Sequence, residues 1–117
     1  MFQAQYLPAL ASANNYACYS PWFPRGGDIL RATVEVIAKN GSDGVVVSIY
    51  HKNREDTGDG TSLGTMTQST VGRGTSEFTG LKELVRYKFD PGSTTGNWVM
   101  FRILPVVWAD AVRGPQP

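Results

Sequence analysis

The 117-residue sequence has little of what catalytic and metal-binding proteins commonly use. Its single cysteine and single histidine exclude an internal disulfide framework, a multi-cysteine zinc site and a histidine-rich metal site. Eleven Lys and Arg residues stand against ten Asp and Glu residues, so the basic excess of a strong nonspecific nucleic-acid binder is missing. No apolar run reaches the length of a transmembrane helix. We therefore expect no cofactor, no strong nucleic-acid binding and no membrane partner.

The composition favours one β-structured domain. A chain of this length buries a core without disulfides, and 13 glycines and 7 prolines with abundant Thr, Ser and Val indicate strands and turns. The first residues lack a basic region followed by an apolar stretch, so no secretory signal is predicted. We expect a location in the cytoplasm or in a virion.

Alternation of apolar and polar residues predicts the main strands. Residues 28–39 alternate with one buried face, and the turn cluster at 40–44 leads into a second strand at 45–51, so these two are predicted to form a hairpin. Two more strands are predicted at residues 83–90 and 97–104, and a short one follows Pro105. Residues 57–80 are rich in Thr, Ser and Gly, which is typical of weak edge strands and wide loops.

These strands predict an all-β fold, a single antiparallel β-sandwich or jelly roll with an extended N-terminal arm. The predicted parts are the arm at residues 1–27, the sandwich domain at 28–108 and a loose tail at 109–117.

The arm is broken by proline and glycine yet rich in aromatic residues, so it must pack on its own domain or on a neighbouring subunit. An aromatic arm at a chain end suits contact between subunits, and it predicts a homo-oligomer. Deletion of residues 1–23 is then expected to abolish assembly and leave the sandwich folded. The candidate self-association residues are Phe2, Tyr6, Tyr16, Tyr19, Trp22 and Phe23.

The few motifs that carry chemistry do not form a catalytic set. Asp56-Thr57-Gly58 resembles the catalytic triplet of retroviral-type aspartic proteases, but the preceding residues are charged instead of apolar and Asp59 follows it. Cys18 and His51 could form a thiol and imidazole pair, but the sequence around the cysteine matches no nucleophile signature. We expect that the protein is not an enzyme.

An alternative function is carbohydrate binding through exposed tryptophans, as in β-sandwich modules that stack sugar rings on aromatic faces. Trp98, Arg102 and Trp108 are the candidate ligand or partner surface, and Trp22 is a further candidate platform. Lys82, Arg86, Lys88 and Arg102 could also form a basic patch on paired strands.

The whole pattern resembles the small β-sandwich decoration or minor capsid proteins of tailed bacteriophages. The points of resemblance are the arm at residues 1–27, the predicted hairpin at 28–51, the Thr- and Gly-rich span at 57–80 and the closing strands at 84–108. The resemblance implies subunits that associate with one another and bind a larger protein shell through arms and loops. We therefore expect a non-enzymatic structural protein that self-associates through its N-terminal arm, as a virion capsid or decoration protein does.

Overall fold

A computed structural model describes residues 5–10, 18–42, 44–91 and 97–110, with side chains for all but the first of these segments. It contains ten strands and, in the described residues, no helix. The described residues accordingly offer no helix with the length and apolar character needed to cross a bilayer. The strands are β1 (Gln5–Leu10), β2 (Cys18–Tyr19), β3 (Phe23–Pro24), β4 (Ile29–Lys39), β5 (Val45–Lys52), β6 (Thr61–Gln68), β7 (Gly72–Phe78), β8 (Leu84–Asp90), β9 (Trp98–Ile103) and β10 (Val107–Ala109).

Two antiparallel sheets of five strands each pack face to face. In sheet A, β9 lies between β1 and β4, and β7 pairs with the opposite edge of β4. Beyond the break at Pro105, β10 continues along the edge of β4 that β9 uses. In sheet B, β5 lies between β6 and β8, and β2 and β3 follow one another along the outer edge of β8.

The connectivity is that of a jelly roll. If β2 and β3 are taken as one interrupted strand, β5 pairs with β6, β4 with β7, β2 and β3 with β8, and β1 with β9. Each pair therefore encloses the previous one along the chain, as in one long hairpin. Rolling that hairpin up brings β4 beside β9 and β5 beside β8, which completes the two sheets. The predicted all-β sandwich is confirmed.

The core lies between the sheets and is formed by the inward residues of each strand. A row of aromatic rings crosses it: Phe23 contacts Tyr87 at 5.6 Å, and Phe89 contacts Phe101 of the opposite sheet at 5.4 Å between ring centroids. Burial raises the pKa of the Tyr87 phenol well above its ordinary value of 10.0. The other fully buried large side chains are Leu30, Val34, Val36, Val45, Val47, Ile49, Val85, Val99 and Ile103.

The predicted hairpin of residues 28–51 is wrong, because β4 and β5 belong to different sheets. Both edges of β4 are occupied, one by β7 and the other by β9 and β10. Asn40 holds the end of β4 on sheet A, since its backbone N–H donates to the Trp98 carbonyl and its Oδ1 accepts from the Trp98 N–H at 2.5 Å. The chain therefore crosses from one sheet to the other between β4 and β5.

Parts of the predicted arm belong to the two sheets. β1 adds a strand to sheet A beside β9, and β2 and β3 add to sheet B beside β8. The sandwich therefore starts before residue 28, because the outer edges of β8 and β9 bind segments that precede it. At the other end β10 extends to Ala109, and the rest of the predicted tail beyond residue 110 lies outside the described residues.

Candidate functional site

The segment at residues 18–25 is held along β8 by backbone hydrogen bonds. Ser20 is buried and forms one through its backbone and a second bond through its side chain: its N–H donates to the Tyr87 carbonyl at 2.9 Å, and its Oγ accepts from the Tyr87 N–H at 2.8 Å. Further along, the Arg25 N–H donates to the Glu83 carbonyl at 2.9 Å. The segment is thereby fixed on sheet B at both ends.

A bulge in this segment presents Trp22 on the outer face of sheet B. Ser20 stands opposite Tyr87 and Phe23 opposite Val85, so Pro21 and Trp22 together face the single residue Arg86. Because Pro21 has no N–H to donate, interrupting the hydrogen-bond ladder at this point costs little free energy. A bulge re-aims the side chain it carries, and here it places the indole ring over the Arg86 guanidinium.

Aromatic and cationic side chains from four segments meet on this face. The Arg86 guanidinium carbon lies 4.3 Å from the centroid of the Tyr19 ring and 4.6 Å from that of Trp22. The Lys52 ammonium lies 4.7 Å from the Trp22 centroid, and the Lys88 ammonium lies 5.9 Å from the Tyr19 centroid. We call this surface the cation–aromatic strip; it consists of Tyr19, Trp22, Tyr50, Lys52, Arg86 and Lys88.

Arg86 is the centre of the strip. Its side chain is only 13% exposed, and it forms a salt bridge with the exposed Asp59 at 3.3 Å. Its Nε is buried and has no hydrogen-bond partner among the described residues. Contacts with aromatic faces compensate a desolvated guanidinium better than they would an ammonium, because the guanidinium is planar and weakly hydrated. The strip is therefore a preformed surface whose geometry depends on one arginine.

The exposed part of the strip is mainly Tyr19, which is 49% exposed and meets Tyr50 edge to face with 6.3 Å between ring centroids. Trp22 and Lys52 are half-buried. A surface of this kind offers apolar ring area together with positive charge, so it suits a partner with apolar groups and hydrogen-bond acceptors.

A polar depression of about 390 Å³ adjoins the strip below the loop between β5 and β6. His51 lies in its wall with a mostly buried ring, and its Nδ1 accepts a hydrogen bond from the Lys82 N–H at 3.2 Å. Burial, and then the charge of Lys82, hold the pKa of His51 below its ordinary value of 6.5. His51 is therefore a neutral hydrogen-bond acceptor in the folded protein near neutral pH.

The outer face of sheet A carries the predicted ligand or partner residues. Trp98 is 39% exposed beside Met100 at 36%. Arg102 is half-buried, and its Nε donates to the Glu35 carboxylate at 2.5 Å. The Arg73 Nε lies 3.4 Å from the other oxygen of the same carboxylate. The hydrogen bond from Arg102, assisted by the nearby Arg73, lowers the pKa of Glu35 below its ordinary value of 4.5.

The predicted self-association residues separate into different environments. Tyr19 and Trp22 lie on the strip, whereas Phe23 is buried at 8% exposure in the core of its own chain and is not available to a partner. Phe2 and Tyr16 lie outside the described residues, and Tyr6 lies in β1, where its backbone pairs with Arg102.

Trp108 is not an open platform either. It is half-buried against the core, with 6.4 Å between its ring centroid and that of Phe23. The strand register also divides the predicted basic patch, because Arg102 belongs to sheet A, whereas Arg86 and Lys88 belong to sheet B.

The candidate catalytic motifs remain isolated in the fold. Cys18 is exposed opposite Phe89, and His51 stands opposite Val85 on the other side of β8, four residues further along that strand. The two residues are therefore more than about 13 Å apart at the usual rise of a strand. Asp56 closes a loop turn, since its Oδ2 accepts from the Asn53 N–H at 3.0 Å. Among the described residues, no group of three or more His, Cys, Asp or Glu side chains could hold a metal ion.

Sequence reasoning missed Tyr50 and Lys52 as functional candidates and did not associate Arg86 with Tyr19 and Trp22. These residues occupy the polar positions of strands whose apolar positions form the core, so the alternation itself marks them as outward-facing. The missing information was the pairing of the strands, because the residues of β5 and β8 that face each other are more than 30 positions apart in the sequence.

Comparison with known proteins identifies no relative. The chain matches no protein-family model, no curated protein and no solved structure. Its function is therefore inferred from its own residues and their geometry.

Proposed function

We propose that the protein is a non-enzymatic structural protein, a jelly-roll subunit that self-associates to build or decorate a larger protein assembly such as a virion shell. The observation that carries the proposal is the cation–aromatic strip. Tyrosine, tryptophan and arginine are the residue types that contribute most to protein interfaces. Here one of each meets at a single point, with Arg86 between Tyr19 and Trp22.

The strip also has the rigidity that an interface needs. Its members lie on hydrogen-bonded strands or on the bulge beside β8, and the rings and cations already contact one another. Less side-chain entropy is lost when preordered groups bind a partner. Two of its members come from the predicted aromatic arm, so the proposal keeps the arm's role while moving it from a free tail to a sheet surface.

Light scattering coupled to size-exclusion chromatography, over a wide range of protein concentration, tests the proposal. The unmodified protein is expected to be an oligomer. The double variant Tyr19→Ala/Trp22→Ala is expected to weaken association by about 30-fold or more, since a hot-spot truncation costs at least about 2 kcal/mol of binding free energy.

Trp98→Ala is the matched control, because it removes an exposed indole from the opposite sheet. It should leave the mass unchanged, and circular dichroism should show that both variants fold. A monomeric unmodified protein, or a folded strip variant with an unchanged mass, contradicts the proposal.

Carbohydrate binding remains a second candidate because of Trp98, whose indole is 39% exposed on the outer face of sheet A. Trp22 is a poorer sugar platform, since Lys52 and Arg86 already approach its ring. If this candidate is correct, Trp98→Ala abolishes binding to a glycan panel, Trp22→Ala does not, and soluble acrylamide quenches part of the tryptophan fluorescence.

A further inference from the structure

Besides the three-residue β10, four edges border the two sheets, and they differ in how they are protected against pairing with another strand. Native proteins usually block such edges with proline, charged side chains or very short strands. β1 contains Pro8, and β2 and β3 are two residues each, with Pro24 in β3. β7 displays Arg73 and Glu77, whose side chains are 59% and 51% exposed.

The remaining edge, β6, has neither charge nor proline. It is eight residues long and its sequence is TSLGTMTQ. It pairs with β5 on one side, and no described residue pairs with its other side. A bulge at Leu63 disturbs its first residues, but the pairing from Gly64 to Gln68 is regular. Half of the backbone N–H and C=O groups in that stretch therefore point away from the sheet.

We propose that β6 pairs antiparallel with β6 of a second copy of this chain, so that two B sheets join into one continuous sheet. An identical strand is the natural occupant, because a two-fold axis pairs the same surface of both copies and needs no second complementary sequence. Thr65 and Thr67 are exposed on the outer face of this edge. Threonine pairs across strands are favourable, and a two-fold axis at Met66 would place Thr65 of each copy opposite Thr67 of the other.

This inference rests on the proposed function and adds a second contact to it. A two-fold contact alone closes at a dimer, so a larger assembly needs at least one further and different surface. The cation–aromatic strip lies on β2, the bulge, β5 and β8, whereas the proposed contact uses the free side of β6. The two surfaces can therefore be occupied at the same time.

The double variant Thr65→Lys/Thr67→Lys tests the β6 contact. It places four like charges along the shared edge of the two copies, which opposes strand pairing. Both positions are exposed, so the fold should tolerate the change, and circular dichroism checks this. The control Ser42→Lys/Thr79→Lys adds the same charge at exposed positions outside the strands. Light scattering should show a smaller particle for the first variant only.

Mixing provides the decisive measurement. Thr65→Glu/Thr67→Glu should also lose the β6 contact when it is alone. A mixture with the lysine variant should regain it, because opposite charges then face each other across the edge. A misfolded variant would not be rescued in this way, so absence of rescue by two folded variants overturns the proposal.

The strip variant separates this inference from the proposed function. If both are correct, Tyr19→Ala/Trp22→Ala leaves a dimer held by β6, and the lysine variant leaves a species held by the strip. If the lysine variant keeps the mass of the unmodified protein while the strip variant forms a smaller particle, the β6 contact is contradicted and the proposed function is not. A monomeric unmodified protein overturns both.

Discussion

At the scale of single residues, Arg86 determines whether the strip exists. Its guanidinium contacts Tyr19 and Trp22 and is mostly buried between them and Asp59. A cation over an aromatic ring contributes about 0.5–1 kcal/mol when exposed and about 2 kcal/mol when desolvated. The partly buried position of Arg86 puts its contacts toward the upper part of that range.

Arg86→Lys should therefore lower the free energy of unfolding by about 1–2 kcal/mol, because an ammonium cannot stack flat on two rings. Urea unfolding followed by fluorescence measures the change. Arg54→Lys is the matched control, since that side chain is 66% exposed and its ion pair with Glu83 is long, at 3.9 Å. The control should change stability by less than about 0.5 kcal/mol. Equal effects of the two variants would show that the rings do not stabilise Arg86.

His51 should make stability depend on pH. Its pKa in the folded protein is lowered by burial and by Lys82, so the unfolded chain binds the proton more tightly. The contribution of neutral His51 to the free energy of unfolding is therefore fully present above the ordinary pKa of 6.5. It is lost as the pH falls from there towards the lowered pKa of the folded protein. Thermal unfolding between pH 7.5 and 5 should show this decrease.

His51→Asn is the control for that decrease, because the amide oxygen can still accept from the Lys82 N–H but does not titrate. The variant should keep a flat profile in the same range. Glu35 also has a lowered pKa, but its contribution is lost only below about its ordinary value of 4.5, outside this window. A decrease that persists in the asparagine variant would assign the effect to another group.

At the scale of strands, alternation in the sequence identified the inward face of each main strand. The fold buries the alternate apolar residues of β8 and β9, which are Val85, Tyr87, Phe89, Val99, Phe101 and Ile103, whereas Trp98 and Met100 on the other face of β9 are exposed. The alternate apolar residues of β4 are buried from Leu30 to Val36. Past Val36 a bulge shifts the register against β9, which explains why Ile37 interrupts the polar face of β4.

Alternation did not identify which strands pair. A turn such as residues 40–44 can join two strands within a sheet or connect two sheets, because both arrangements need a short polar reversal. The choice depends on distant residues: Asn40 bonds to Trp98, and β7 and β9 occupy the edges of β4. The cation–aromatic strip was not predicted because its members come together only when β2 and β5 pair with β8, and the sequence does not show that pairing.

At the scale of the whole molecule, the N-terminal segment closes the jelly roll on both sheets. β1 covers the outer edge of β9, while β2 and β3 cover the outer edge of β8. Phe23 adds its ring to the core beside Tyr87. The stretch of chain that holds Tyr19 and Trp22, the proposed partner contacts, is thus also part of the fold, which makes truncation a poor test of assembly.

Deletion of residues 1–23 should therefore unfold the protein as well as prevent its association. Loss of a buried phenylalanine side chain alone costs about 3–5 kcal/mol, out of the roughly 5–15 kcal/mol that stabilises a domain of this kind. Deletion of residues 1–11 removes β1 but keeps β2 and β3, so that shorter deletion should remain folded with a lower midpoint. Circular dichroism and urea unfolding of the two truncated chains distinguish these results. If the 1–23 deletion folded with the midpoint of the full chain, the contacts of this segment with β8, β9 and the core would not contribute to stability, and the expectation would be wrong.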